Sequence, residues 1–301
     1  MVKRKMGRAD LKSHIGNRAF DVCNMGLMVL FVLVTLYPFY YILIVSVSDG
    51  LAVMRQEVIL WPKGVNLASY RIIFQDPYLG QAFVNSVIYT VLGTAINMIC
   101  TVAGAYPLSR KHFVARRFFT GIIVFTMFFS GGLIPLYLVV MRLGLLDTVW
   151  AIVLPGAIST YNLIVMRTFF QSIPDSLYEA AFLDGANDLR ILLTVVLPLS
   201  MPILATMILF YAVGHWNSFF NAVIYLKEKS KYPAQVFLRN IVVSDQMSAQ
   251  NAAIGSGGDF LAVTTTVKYA VIMVVSIPII CIYPFLQRYF VKGIMIGSLK
   301  G

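Results

Sequence analysis

The stretch PDSLYEAAFLDGANDLRILLTVVLP, from Pro174 to Pro198, has the residue types and spacing for recognition by a partner. Ser176 and Glu179, three apart, form a capping box, with Pro174 and Asp175 just upstream. Gly185 is the stop signal, so a first helix runs from Ser176 to Asp184. Asn187 caps a second helix, with Asp188 in its first turn, that runs into the apolar Ile191–Leu197 and breaks at Pro198. The first helix offers water little to bind: Leu177, Ala180, Ala181 and Asp184 share one side, and Tyr178 and Phe182 form a bulkier ridge beside them. One side can rest on the protein's own helices while the other fills a groove in a partner, the two alanines permitting close approach. A membrane-surface helix with an ordinary cap is the alternative.

A second set of residues has chemistry suited to sugars. Tyr211, Trp216, Asn217 and Asn221 combine aromatic faces with amides, and Gly214, Asn217 and Asn221 recur at near-helical spacing. Asn97, Tyr161 and Asn162 add polar groups elsewhere in apolar stretches. Sugar rings meet aromatic faces and sugar hydroxyls meet amides. A hydrogen-bonded packing seam between helices or subunits is the competing reading.

These residues lie on elements that composition places in a membrane. Of 301 residues, 59% are apolar and 12% charged, far from the quarter or so charged in soluble domains. Apolar runs long enough for a bilayer occur at Phe20–Val47, Gln81–Leu108, Phe118–Met141, Trp150–Met166, Leu197–Leu226 and Tyr269–Leu286. The expectation is an all-α, polytopic membrane protein with six transmembrane helices. Residues 1–19 form a basic N-terminal segment, 20–290 one transmembrane domain containing the 174–198 loop, and 291–301 a short tail. Gly131, Gly132 and Pro135 predict a bent or broken third span. Apart from Asp21, at the very start of the first, no span has an Asp, Glu, Lys or Arg inside it, which disfavours a proton-coupled carrier.

Orientation follows from the basic residues. With both termini cytoplasmic, the inner segments hold Lys3, Arg4, Lys5, Arg8, Lys12, Arg18, Arg110, Lys111, Arg116, Arg117, Arg167, Arg190, Arg288, Lys292 and Lys300, 15 of the 24. The net charge of +11 thus reflects topology and attraction to anionic lipid, and no continuous basic face suggests nucleic acid. The 227–268 segment is the longest expected on the outside, rich in Gly and Ser near Gly255–Gly258. Cys23, Cys100 and Cys281 and the three histidines lie far apart, without metal-site spacing. The chain has no GxxxxGK[ST] phosphate loop, so any ATP must be used by another chain.

At the loop a family resemblance becomes specific. Glu179, Ala180, Ala181, Gly185, Leu197 and Pro198 match the EAA loop of permease subunits of binding-protein-dependent ABC importers, with Val195 at the usual Ile position. Asn85-Ser86, AYPLSR at 105–110, GGLIPLY at 131–137 and WNSFF at 216–220 extend the match. The whole chain resembles the carbohydrate-uptake permeases, most closely the LplC and YtcP-like branch. The resemblance implies a type I importer permease fold in a bacterial inner or plasma membrane. It also implies partners: a second homologous permease, two ABC ATPase subunits carrying ATP and Mg, an extracytoplasmic solute-binding protein, and a sugar as cargo. This chain would be non-catalytic and bind no cofactor. Glu179, Ala180, Ala181, Phe182, Asp184 and Gly185 would form the ATPase-coupling site, and Asn97, Tyr161, Asn162, Tyr211, Trp216, Asn217 and Asn221 the substrate pathway. The rivals are a permease of this architecture for a non-sugar solute and a stand-alone channel or carrier.

Overall fold

The structure, a computed structural model, describes residues 8–252, 265–282 and 284. The Gly255–Gly258 stretch, the end of the sixth expected span and the 291–301 tail lie outside the described residues. Among those described there is helix and no strand. The chain divides into two compact units, residues 8–73 with 245–273 and residues 74–244 with 274 onward.

In the first unit the helix Arg8–Ser46 runs through Pro38, and from Phe20 to Tyr40 every side chain is exposed. A helix apolar all round needs lipid or another chain against it. Its far end is anchored: Tyr37 and Tyr40 donate to the carbonyls of Ile59 (3.1 Å) and Leu60 (2.6 Å). Ile44 and Val45 pack with Val53, Val58 and Tyr269.

The second unit is built on the helix Pro77–Ser109, 33 residues or about 50 Å long. Asp76 caps it by accepting from the Tyr78 N–H, and Pro77, which has no N–H to satisfy, occupies its first position. The helices Thr160–Gln171 and Met201–Trp216 pack along it. Glycines let them close in: a Cβ at Gly93 would lie 2.5 Å from the His215 ring, and one at Gly104 2.9 Å from Leu163.

Among the described residues three helices are long and apolar enough to cross a membrane, Phe20–Ser46, Pro77–Ser109 and Thr265–Ile282. Two bent pairs bring the number to five if each is one span. Arg116–Phe128 and Leu133–Arg142 meet at 114°, the break expected at the glycine pair, with Gly132 at φ +84°. Asp188–Leu199 and Met201–Trp216 meet at 84°.

Four local expectations are corrected. Trp150–Met166 is not one helix: it is helical at Val149–Val153, breaks around Pro155-Gly156 and resumes at Thr160, because proline cannot donate and restricts the residue before it. The second loop helix does not end at Pro198. A π-helical turn at Leu192–Val196 takes up the irregularity, and the chain turns at Ser200. Leu197–Leu226 is also interrupted: Met201–Trp216 ends with Asn217 as its cap, and Asn221 lies on the separate short helix Phe220–Tyr225, so Gly214, Asn217 and Asn221 share no continuous face. Within 227–268, expected to be one long outside loop, the described residues are largely helical, with a 3-10 turn at Lys229–Lys231 and the helix Ala234–Ala252.

Candidate functional site

The first loop helix spans Asp175–Leu183, two residues earlier than a capping box with Ser176 at the cap position requires. Pro174 occupies the cap position without a side-chain bond, and its carbonyl accepts from Leu177 N–H at 3.2 Å. Asp175 starts the helix, complementing the macrodipole, so Ser176 is already helical and has no capping role. Lys111 Nζ lies 2.6 Å from the Asp175 carboxylate and holds its pKa below the ordinary value.

The helix stops as expected at Gly185, with φ +75°. Ala186 N–H reaches the Ala181 carbonyl and Gly185 N–H the Phe182 carbonyl, both at 3.0 Å, the paired bonds of a Schellman motif. Asn187 Oδ1 then accepts from Arg190 N–H at 2.8 Å, so the second helix is capped as its sequence predicts.

Tyr178 is the anchor. Its ring is 2% exposed among Phe170, Ile173 and Ile191, and its hydroxyl donates to the Phe170 carbonyl at 3.4 Å. The Arg110 guanidinium sits 3.4 Å over the ring, a cation–π contact. Ala181 is partly buried beside it. Leu177, Glu179, Ala180 and Asp184 are exposed, Leu183 is 89% exposed, and Phe182 is 49% exposed over a cavity of about 640 Å³ shared with Tyr106, Arg110 and Leu189. The helix is thus tied down by one ring and presents most of its remaining surface outward.

The opposite end of the Pro77–Ser109 helix has a second constellation, whose connections the sequence did not disclose. Asn85 Nδ2 donates to the carbonyls of Ser230 (2.7 Å) and Tyr232 (3.2 Å). Ser86 Oγ accepts from Ala234 N–H at 2.8 Å, and Tyr89 donates to the Lys231 carbonyl at 2.8 Å. Asp147, in the left-handed region at φ +60°, accepts from the N–H groups of Lys227 (2.8 Å) and Glu228 (3.2 Å). Its other carboxylate oxygen is 2.6 Å from Lys231 Nζ. The lysine and the two N–H groups lower the Asp147 pKa to about 2, and the same carboxylate raises that of Lys231.

The residues expected along the substrate pathway separate into two groups. Asn97 is 1% exposed, donates to the Gly156 carbonyl at 2.5 Å and meets His215 Nε2 at 2.6 Å through its oxygen. Tyr211 is buried, its hydroxyl 2.7 Å from Thr101 Oγ1 and 3.4 Å from Ser159 N–H. These bonds satisfy backbone freed where the chain breaks between Val153 and Thr160. Asn162 is buried in the first turn after that break. Trp216 is buried apart from them, donating to the Val275 carbonyl at 3.3 Å. Tyr161 (56%) and Asn217 are exposed, Asn217 accepting from Gln235 Nε2 at 3.3 Å, and Asn221 is half-buried. Asn97 and Tyr211 therefore share one packed seam, and Tyr161, Asn217 and Asn221 retain accessible surface.

The chain resembles known proteins over nearly its whole length. Residues 98–296 match the family model described as binding-protein-dependent transport system inner membrane component. The polygalacturonan/rhamnogalacturonan transport system permease protein YtcP of Bacillus subtilis (strain 168) is 44% identical, over 95% of this chain and 99% of that protein. Protein LplC of the same organism is 40% identical, over 94% of this chain and 96% of that one. Among solved structures, a chain of a bacterial ABC transporter involved in the import of the acidic polysaccharide alginate superposes with a TM-score of 0.82. It is 36% identical, with 96% of this chain and all of that one covered. With its all-helical fold and apolar bent spans, the chain belongs to the binding-protein-dependent transport system inner membrane components, the multi-pass permease subunits of ABC transporters.

Proposed function

We propose that this chain is one permease subunit of an importer that moves an oligosaccharide across a bacterial cell membrane, with uronic-acid oligomers the first class to test. The observation that carries the reading is end-to-end similarity to a permease named for polygalacturonan and rhamnogalacturonan transport. The alginate importer chain, also matched along its whole length, supports the acidic cargo. In this reading a second permease completes the pathway, a binding protein delivers sugar outside, and two ATPase subunits with ATP and Mg drive the cycle. The 174–198 loop and both termini face the cytoplasm, and the Asn85–Asp147 end faces out.

The ATPase cleft receives the outward side of the Asp175–Leu183 helix, with Glu179, Ala180 and Asp184 at the contact. Closure of the ATPase dimer pulls that helix, and Tyr178, held under Arg110 and against Phe170, passes the movement to the spans. Tyr161, Asn217 and Asn221 supply cargo-facing surface. Asn97, Asn162, Tyr211 and Trp216 support it from behind.

Purification of the tagged chain in mild detergent from its native host is expected to recover a second permease and a P-loop ATPase. A chain that purifies alone and conducts without ATP overturns the importer reading. Gly185→Asp, which destabilises the stop without a steric clash, is expected to insert normally and lose ATP-driven uptake. Uptake at the normal rate would remove the coupling role from this helix.

A further inference from the structure

At the Asn85–Asp147 end lies a cavity of about 210 Å³ that no part of the reading above uses. Its walls are Tyr78 from the start of the long helix, Lys229 and Tyr232 from the 3-10 turn, and Phe237 and Asn240 from the helix that follows, with Ala82 among its lining. We propose that this cavity is a subsite for one uronic-acid residue of the cargo, its carboxylate held by Lys229. The proposal rests on the sugar-importer reading and names a place and a chemistry within it.

Three observations support it. Tyr78, Tyr232 and Phe237 offer aromatic faces to the C–H face of a pyranose ring, in a volume that admits one ring. Lys229 is the cation left for a ligand. Its neighbour Lys231 is engaged by Asp147 at 2.6 Å and by Glu228 at 3.3 Å, whereas the Lys229 ammonium has no hydrogen bond or ion pair among the described residues. Glu228, the acidic residue next to Lys229 in the chain, pairs with Lys231 instead. Finally, the wall is fixed in advance: Asn85 holds the carbonyls of Ser230 and Tyr232, and Ser86 holds Ala234 N–H, so little ordering cost falls on binding. By contrast, the groove of about 630 Å³ along Met98, Val102, Leu197 and Leu204 is lined by apolar side chains alone, as suits lipid or another helix.

The test uses the assembled transporter in nanodiscs without its binding protein, with digalacturonate and neutral digalactose followed by saturation-transfer NMR. Digalacturonate is expected to bind the wild type. Lys229→Gln is expected to weaken it about two- to fivefold, the size of a partly solvated ion pair, and to leave digalactose unchanged. Tyr78→Ala, at a half-exposed ring, is expected to weaken both. Absence of digalacturonate binding to the wild type, or a dissociation constant unmoved by Lys229→Gln, overturns the subsite. A loss that appears only when the binding protein is added, equal for all sugars, makes the cavity a protein contact and also overturns it. Uptake by the wild-type complex is measured in parallel: sugar uptake with unaltered binding sinks the subsite alone, and no uptake of any sugar sinks the importer reading.

Discussion

Near its start the Pro77–Ser109 helix grips backbone; near its end it grips one ring. Asn85, Ser86 and Tyr89 hold carbonyls and an N–H between Ser230 and Ala234, and Asp147 secures the same segment from another side. Fixing main-chain atoms at several points leaves that segment few ways to move. At the other end, Arg110 covers Tyr178 and Lys111 pairs with Asp175 in the open. A ring held in a socket transmits force and still leaves the helix around it free to be seized. Under the coupling role proposed above, the difference is a division of labour: one end keeps its shape and the other is pulled.

The comparison breaks most directly at the fixed end. Asn85→Ala strands two carbonyls and the Gln81 amide that now bonds Asn85 Oδ1. The expected cost is about 1–3 kcal/mol, read as a lower unfolding temperature and faster amide exchange confined to residues 229–236. Exchange unchanged there would mean that the segment is held by packing alone.

Acid should loosen the same end. The Asp147 pKa is depressed from 3.8 to about 2, so its stabilisation is complete well above 3.8 and disappears as pH falls through 2. The stability gap between wild type and Asp147→Asn is therefore expected to stay constant from neutral pH to about 5 and to shrink between about 4 and 2. A gap that persists at pH 2 would assign the effect to shape and not to charge.

What could be read beforehand follows the same division. Gly185 and Asn187 were legible because a Schellman stop and an N-cap are completed within a few residues. The capping box failed on equally local grounds, since Pro174 and Asp175 start the helix before Ser176 can cap it. Asn85 and Ser86 stood out as a motif, but they bond backbone atoms roughly 145 residues later, and backbone atoms leave no mark of residue type. Asn97 and His215 were each visible, 118 residues apart, and only the close approach at Gly93 brings them together. The bent third span was legible from its glycines, whereas the end of the fifth helix at Trp216, with no proline or glycine after it, was not.

The pulled end sharpens the contrast with smaller effects. Arg110→Ala removes the cation from the Tyr178 ring and is expected to cost about 0.5–2 kcal/mol, with a larger loss in ATP-coupled uptake than in stability. Lys111→Ala breaks the ion pair with Asp175, whose side chains are 74% and 54% exposed. Water and salt screen such a pair, so thermal unfolding should not move measurably and the Asp175 pKa should return toward its ordinary value. If Lys111→Ala matched Arg110→Ala in lost uptake, the helix would be held at two points of equal weight, and transmission through the single buried ring would be wrong.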